Sequence, residues 1–309
     1  MDETELVCTE LGRDIDRLKA DGFRLDVIYP ADDPHTAVLS KDGARIRLTT
    51  RAGVAPPSSV LPPFEPHFVL TRAGAGSGEG RAGMLYRDLI PGRLGGRYIA
   101  SHIAIPDGGP VADWVHYHRV AFQMIYVRAG WVRVVYEDQG EPFVMRPGDM
   151  VLQPPAIRHR VLESSAGLEV IEIGCPALHE TFADHELQLP NGSGEPARLF
   201  AGQRFLRHVA ANTPWTSFAG GEAQESQMEL ATAGIAQVRT IRGSALQFPG
   251  HFGELVFGFV LQGGGHLQFR GDHDLAAGAA FVIPPEEAWS VANASRDFRL
   301  LHVTTRTLA

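Results

Sequence analysis

At 309 residues the chain is long enough for about two domains of roughly 100–200 residues each, which excludes a single small module. Its 28 Lys and Arg against 36 Asp and Glu leave a formal charge of -8, the wrong sign for a phosphate backbone, and no apolar run approaches the roughly 20 residues of a bilayer span, so neither nucleic acid nor a membrane is expected as a partner. Two cysteines, Cys8 and Cys175, are too few for a disulfide scaffold or a cysteine-rich zinc site; with no basic leader pattern at Met1, a soluble cytoplasmic protein is expected, any metal being held by His and oxygen ligands.

The chain opens on its one convincing helix, Leu11 to Ala20, where Leu11, Ile15 and Leu18 recur at helical spacing before Asp21-Gly22 closes the segment. Strands follow at Phe23 to Tyr29, Ala37 to Ser40 and Ala44 to Thr49, the last two joined by an Asp42-Gly43 hairpin turn. This stretch, through Ala20-Asp21-Gly22-Phe23-Arg24, Tyr29-Pro30-Ala31-Asp32-Asp33-Pro34 and Asp42-Gly43, resembles half of a glyoxalase-type (vicinal oxygen chelate) module. It lacks a ligand pair and the second half such sites need, so a structural or dimer-building role is expected of it. Five prolines between Pro56 and Pro66 predict an extended strap on the body of the protein.

From there, 34 glycines and 21 prolines punctuate short runs of Val, Ile, Phe and Leu, the pattern of a many-stranded antiparallel protein. Gly74 to Gly83 is glycine-rich but follows no βα unit, and reads as a surface loop or, alternatively, a lid. An internal repeat organises the rest. Gly148-Asp149-Met150-Val151-Leu152-Gln153-Pro154-Pro155-Ala156-Ile157-Arg158-His159 aligns without gaps on Gly278-Ala279-Ala280-Phe281-Val282-Ile283-Pro284-Pro285-Glu286-Glu287-Ala288-Trp289, and Gln123 to Gly130 matches Val256 to Gly263 upstream. Two copies of one β-domain are expected in tandem, hinged near Asn191-Gly192-Ser193-Gly194. The expected divisions are an extension over 1–55, a first domain over 56–190 and a second over 191–309.

Alternate residues of a strand share a face, so His116 and His118 project together, with Gln123 five residues on and His159 after the Pro154-Pro155 turn. His-x-His-x4-Gln-x6-Gly followed by Pro-Gly-Asp-x5-Pro-x3-His resembles the paired motifs of the cupin superfamily. The resemblance implies a mainly all-β fold of tandem double-stranded β-helix (jelly-roll) barrels with the small α/β extension at the N-terminus. It also implies a metal site made by His116, His118, Gln123 and His159; the alternative is a barrel that kept its histidines without a metal. Where most cupins place Glu, this chain has Gln123, a neutral ligand that leaves the full charge on the ion and favours an anionic substrate. Imidazole ligands disfavour Mg and Ca and leave Fe, Mn, Ni, Zn or Co, among which the ligand types do not choose; Fe stands first only for a dioxygenase.

At the matching positions the second copy presents Pro249, His251, Val256 and Trp289, and one histidine holds no metal, so that barrel is expected to be structural. Around the first site, Gln153 is polar where the silent copy has Ile283, Trp114 shares the parity of His116, and His102 faces either into the barrel or away from it. Arg119 and Arg158 alternate to the opposite face. No Gly-x-Ser-x-Gly elbow, phosphate loop or dinucleotide fingerprint occurs. The leading expectation is an Fe(II)-type dioxygenase acting on a small oxygenated or aromatic acid, because the ligand set leaves coordination positions vacant and the resemblance extends to ring-cleaving dioxygenases with tandem barrels. The alternatives are a non-redox lyase or isomerase using the ion as a Lewis acid, and a small-molecule-binding or regulatory protein. A homodimer is expected.

Overall fold

The computed structural model describes residues 3–53, 56–74, 77–192 and 194–308; Met1, Ala75, Gly76 and Ser193, on which parts of the leader, loop and hinge readings fall, lie outside them. The helix Leu11–Ala20 forms as its spacing predicts and buries Leu11, Ile15 and Leu18 against Leu25, Ile28, Ala37, Leu39 and Leu48 of the strands that follow. Asp42 and Gly43 both take positive φ (48° and 84°), the conformation a two-residue hairpin demands. A strand the sequence did not announce, Glu3–Val7, pairs in parallel with Ala44–Thr49.

This extension does not stand apart. Its strand Arg24–Tyr29 pairs with Thr181–Ala183, which in turn pairs with His116–His118, so the N-terminal sheet runs edge to edge into the first barrel. One ten-stranded sheet results, and the facing seven-stranded sheet carries Met150–Leu152, Phe122–Ala129, Leu168–Cys175 and Ile99–Ile105 in that order. The second barrel repeats the plan with a seven-stranded sheet, including Ala236–Arg242, Arg299–Thr305, Val256–Gln262 and Ala280–Val282, against a four-stranded one.

The repeat seen in the sequence is a repeat in detail. Ala156 and Glu286 both sit at positive φ (62° and 66°), a conformation few non-glycine residues adopt. Their amides bond the carbonyls of His118 and His251 at 3.0 and 2.9 Å. Both long central strands also shift register at the same place, between Val127 and Ala129 and between Val260 and Gln262.

The barrels exchange strands. Val69–Thr71, just after the proline strap, pairs with Ala280–Val282 of the second barrel, and Leu206–His208 pairs with Met150–Leu152 of the first. Each barrel therefore holds a strand from the span assigned to the other. Between them, strand parity divides the apolar residues into separate cores. Phe122, Met124 and Tyr126 face Phe257, Phe259, Leu301 and Val303 across the interface, while Val127 and Val260 turn into their own barrels. Both faces of these strands are buried, which is why they read as nearly continuous apolar runs. The same interface encloses an ion pair, Arg97 reaching Glu254 through Nη2–Oε1 at 2.7 Å and Nε–Oε2 at 3.0 Å.

Candidate metal centre

His116 and His118 lie on one short strand, and His159 opens the strand beside it in direct register with His116. The result is a cluster of three buried imidazoles, with one ligating atom from each lying within 4.8 Å of the others. Ring centroids are 4.2 Å apart for His116 and His159, 5.3 Å for His118 and His159, and 5.1 Å for His116 and His118.

The backbone settles which nitrogen carries the proton. Nδ1 of His116 lies 2.7 Å from the Trp114 carbonyl and Nδ1 of His159 lies 3.1 Å from the Ile157 carbonyl, so both must donate there and leave Nε2 with its lone pair. His116 Nε2 is 3.2 Å from Arg81 Nη2, which can only donate, and this fixes the same tautomer from the other side. Thr181 Oγ1 lies 3.3 Å from His118 Nδ1. Burial keeps all three rings neutral: it holds His159 down to about 4, and lowers His116 and His118 well below the ordinary value, aided by the Arg81 charge and the neighbouring imidazoles.

Gln123 completes the arrangement. Its Nε2 donates to Glu172 Oε1 at 2.6 Å, which fixes the amide, and its Oε1 is buried without a hydrogen-bond partner among the described residues. An orphaned buried acceptor in a cavity lined by three neutral imidazoles, with Nε2 of His159 unengaged among the described residues and Nε2 of His116 offered to Arg81, is the chemistry of a donor set for a divalent cation. Glu172 explains the amide itself. A carboxylate at 123 would meet the carboxyl group of Glu172 at hydrogen-bond distance, an arrangement that two charged groups do not tolerate. Burial also raises the Glu172 pKa.

The polar cluster lies in a cavity of about 90 Å³ whose remaining wall is largely apolar, including Met84, Tyr86, Ile103, Val134 and Val170. Gln153 lines it and donates from Nε2 to the Tyr136 hydroxyl at 2.8 Å, while the Tyr136 ring stacks on His159 at 5.4 Å. Arg81 enters from the glycine-rich loop. The described part of that loop is pinned by the amide of Arg81 on the Ala31 carbonyl at 2.8 Å, and the guanidinium is clamped by Asp113 at 2.6 Å. Asp113 Oδ2 accepts the Val161 amide at 2.9 Å, so this carboxylate ties the loop to the strand of His159.

One residue expected to border the site lies elsewhere, and that expectation is corrected. His102 turns away from the cavity: its ring stacks on Phe259 of the second barrel at 6.4 Å and its Nε2 lies 2.8 Å from Glu169, because Ile103 and Ile105 take the inward parity of that strand. Trp114 does border the site: its ring lies edge-on to His116 at 5.3 Å and under the Arg81 guanidinium at 5.4 Å, and its carbonyl accepts from His116, but it packs against the helix and sheet of the N-terminal extension and does not line the cavity. Arg119 and Arg158 do face outward, lying over Phe182 and Tyr117, with Arg158 paired to Asp184 at 3.0 Å. Sequence reading missed Arg81, Asp113 and Glu172. Only Glu172 carried a signal, a lone acid within the apolar run from Val170 to Ile173.

In the second barrel, Val256 and Trp289 are core residues, Trp289 stacks on Phe248 at 3.8 Å, and His251 Nε2 bonds the Thr305 carbonyl at 2.8 Å. Among the described residues, the three-histidine cluster of the first barrel is the one group of His, Cys, Asp or Glu placed to hold a metal.

The cupin domain family matches residues 101–174, a span that contains all four residues of the centre. Solved structures with two such barrels superpose over most of the chain. The fold is a bicupin. Oxalate decarboxylase from Bacillus subtilis is 12 % identical, covering 84 % of this chain and 80 % of its own with a TM-score of 0.55. The putative glyoxylate induced protein of Pseudomonas aeruginosa is 11 % identical over 82 % of this chain and 95 % of its own, with a TM-score of 0.56. Ylba of E. coli is 10 % identical, covering 80 % and 94 %, with a TM-score of 0.55. No curated protein matches this bicupin in sequence. Among the described residues, no helix is long and apolar enough to cross a membrane.

The depressed histidines make the metal-free bicupin acid-sensitive. In the unfolded chain His159 titrates near the ordinary 6.5 and in the folded chain at about 4, so between these values the unfolded state binds more protons and stability falls as pH falls. Denaturant titrations at pH 7 and pH 4.5 should show metal-free wild type losing roughly 2–3 kcal/mol more than His159→Asn does over the same interval. Equal losses would remove the buried neutral imidazole as the cause.

Proposed function

We propose that His116, His118, His159 and Gln123 hold a divalent transition metal ion and that the bicupin is a metal-dependent enzyme acting on a small organic acid. The observation that carries this reading is the unpartnered Gln123 Oε1 in the cavity of the three imidazoles. Such an ion, when bound, supplies Lewis-acid polarisation of a substrate oxygen. All four ligands are neutral, so the site keeps its positive charge, and Arg81 beside His116 adds a guanidinium suited to a carboxylate. Gln153 and the Tyr136 hydroxyl offer hydrogen bonds on the same cavity wall. The remainder of the wall is largely apolar.

A cavity of about 90 Å³ favours a compact acid over an aromatic one, since one water occupies about 10–15 Å³ of such space. Together with the charge, this supports the non-redox lyase or isomerase reading, and a neighbour in fold is named for decarboxylating oxalate. The Fe(II)-type dioxygenase is the second reading, favoured by the ligand set: four protein ligands leave open positions on a six-coordinate ion.

Anaerobic assays of protein loaded with Fe, Mn or Zn, against oxalate, malonate and other short carboxylic acids, should give product without oxygen and with more than one metal. Turnover that needs iron and consumes oxygen in step with substrate would move the assignment to the dioxygenase. Thermal stabilisation by an acid without turnover under any metal would instead mark a binding protein.

A further inference from the structure

The second barrel lost its metal ligands but not its cavity. A cavity of about 340 Å³ lies between its sheets, with Gln247 and Pro249 exposed at its mouth and Val256, Trp289 and His302 buried at its floor. Register shows what replaced the metal chemistry. Glu172 stands opposite Ile125 in the first barrel, and His302 stands opposite Gly258 at the matching place in the second. His302 is 4 % exposed, lines this cavity, and its Nδ1 is buried with no hydrogen-bond partner among the described residues.

Its cross-strand neighbour is Arg239, which lines the same cavity. Glu225 on the adjoining strand engages Arg239 Nε, while the two Nη groups make no hydrogen bond among the described residues. His251 adds a third nitrogen-bearing side chain, and among the described residues no Asp or Glu lines the cavity. The walls are aromatic: Phe248 lies 5.1 Å from the His302 ring and 6.1 Å from Phe218.

We propose that this second cavity binds a flat organic carboxylate about the size of one aromatic ring, without a metal. Arg239 takes the carboxylate, and Phe248, Phe218 and the His302 imidazole contact the ring. Aromatic walls with a single cationic partner and no lining acid select for this chemistry over a neutral ring or a cation. The inference is independent of the metal centre in the first barrel.

The test uses full-length, chelator-treated protein labelled with 5-fluorotryptophan, its Trp289 signal assigned with Trp289→Phe. Titration with benzoate into the millimolar range should shift that signal saturably, and benzyl alcohol at equal concentrations should not. Arg239→Gln should weaken benzoate at least tenfold, Arg239→Lys should restore part of it, and His159→Ala should bind as wild type does. An unmoved Trp289 signal, equal responses to benzoate and benzyl alcohol, or loss of binding in His159→Ala would each overturn the proposal. The comparison of benzoate with benzyl alcohol is made on wild-type protein once the Trp289 signal is assigned, so it decides the matter even where an Arg239 variant fails to fold.

Discussion

Replacing His159 with Ala should reduce bound divalent metal from about one ion per chain to less than about a tenth, measured by elemental analysis of protein reconstituted and then desalted, while the far-ultraviolet circular dichroism stays that of wild type. The expected loss is large because His159 is the only one of the three imidazoles delivered by a different strand. Without it His116 and His118 offer two ligands from a single strand, and the Gln123 amide is too weak a donor to close the set. The fold should survive because the removed side chain borders a cavity rather than packed core, and its strand stays paired to Val132–Tyr136. His251→Ala, in the second barrel, should change metal content little. Equal metal in His159→Ala and wild type would place the ion elsewhere and end the reading of the first barrel as the metal centre.

Replacing Glu254 with Ala should cost about 3–5 kcal/mol of unfolding free energy, the usual result of breaking a buried ion pair on one side. The side chains of Arg97 and Glu254 are 7 % and 6 % exposed, so the guanidinium left behind has no water to turn to. The loss spreads further, since Glu254 also accepts the Tyr98 hydroxyl at 2.8 Å and the Leu308 amide at 3.2 Å, joining the first half of the chain to its C-terminal end. Exchanging both partners for apolar residues, Arg97→Met with Glu254→Leu, should recover much of the loss, because the stranded charge is then gone. Denaturant unfolding of the two single variants and the double variant measures this. A loss below about 1 kcal/mol for Glu254→Ala would show that solvent reaches the pair.

Several of these features are legible in the amino-acid order, and the reasons differ. The helix Leu11–Ala20 and the Asp42-Gly43 turn follow from local rules, a 3.6-residue apolar period and a dipeptide that accepts positive φ. The His-x-His pair is local too, since strand parity alone puts both rings on one face. The tandem barrels are visible because each copy must satisfy the same turn and register constraints, down to positive φ at Ala156 and Glu286. His102 shows the limit of parity: it states which residues share a face but not which face looks inward. Both faces of Ile99–Ile105 meet apolar cores, Ala100 the one between the barrels and Ile103 that of the first barrel, so parity did not say which of the two His102 looked toward.

Chain order and local periodicity thus determined the number of barrels, which of them carries a histidine cluster, and where the extension's helix and hairpin lie, because each depends on neighbours a few residues away. Tertiary structure alone decided the strand exchange of Val69–Thr71 and Leu206–His208, the joining of the N-terminal sheet to the strand of His116, the entry of Arg81 into the metal cavity, and the partnership of Gln123 with Glu172. These contacts link residues far apart in the chain, and their energies come from burial and hydrogen bonding among groups that meet only once the sheets have packed.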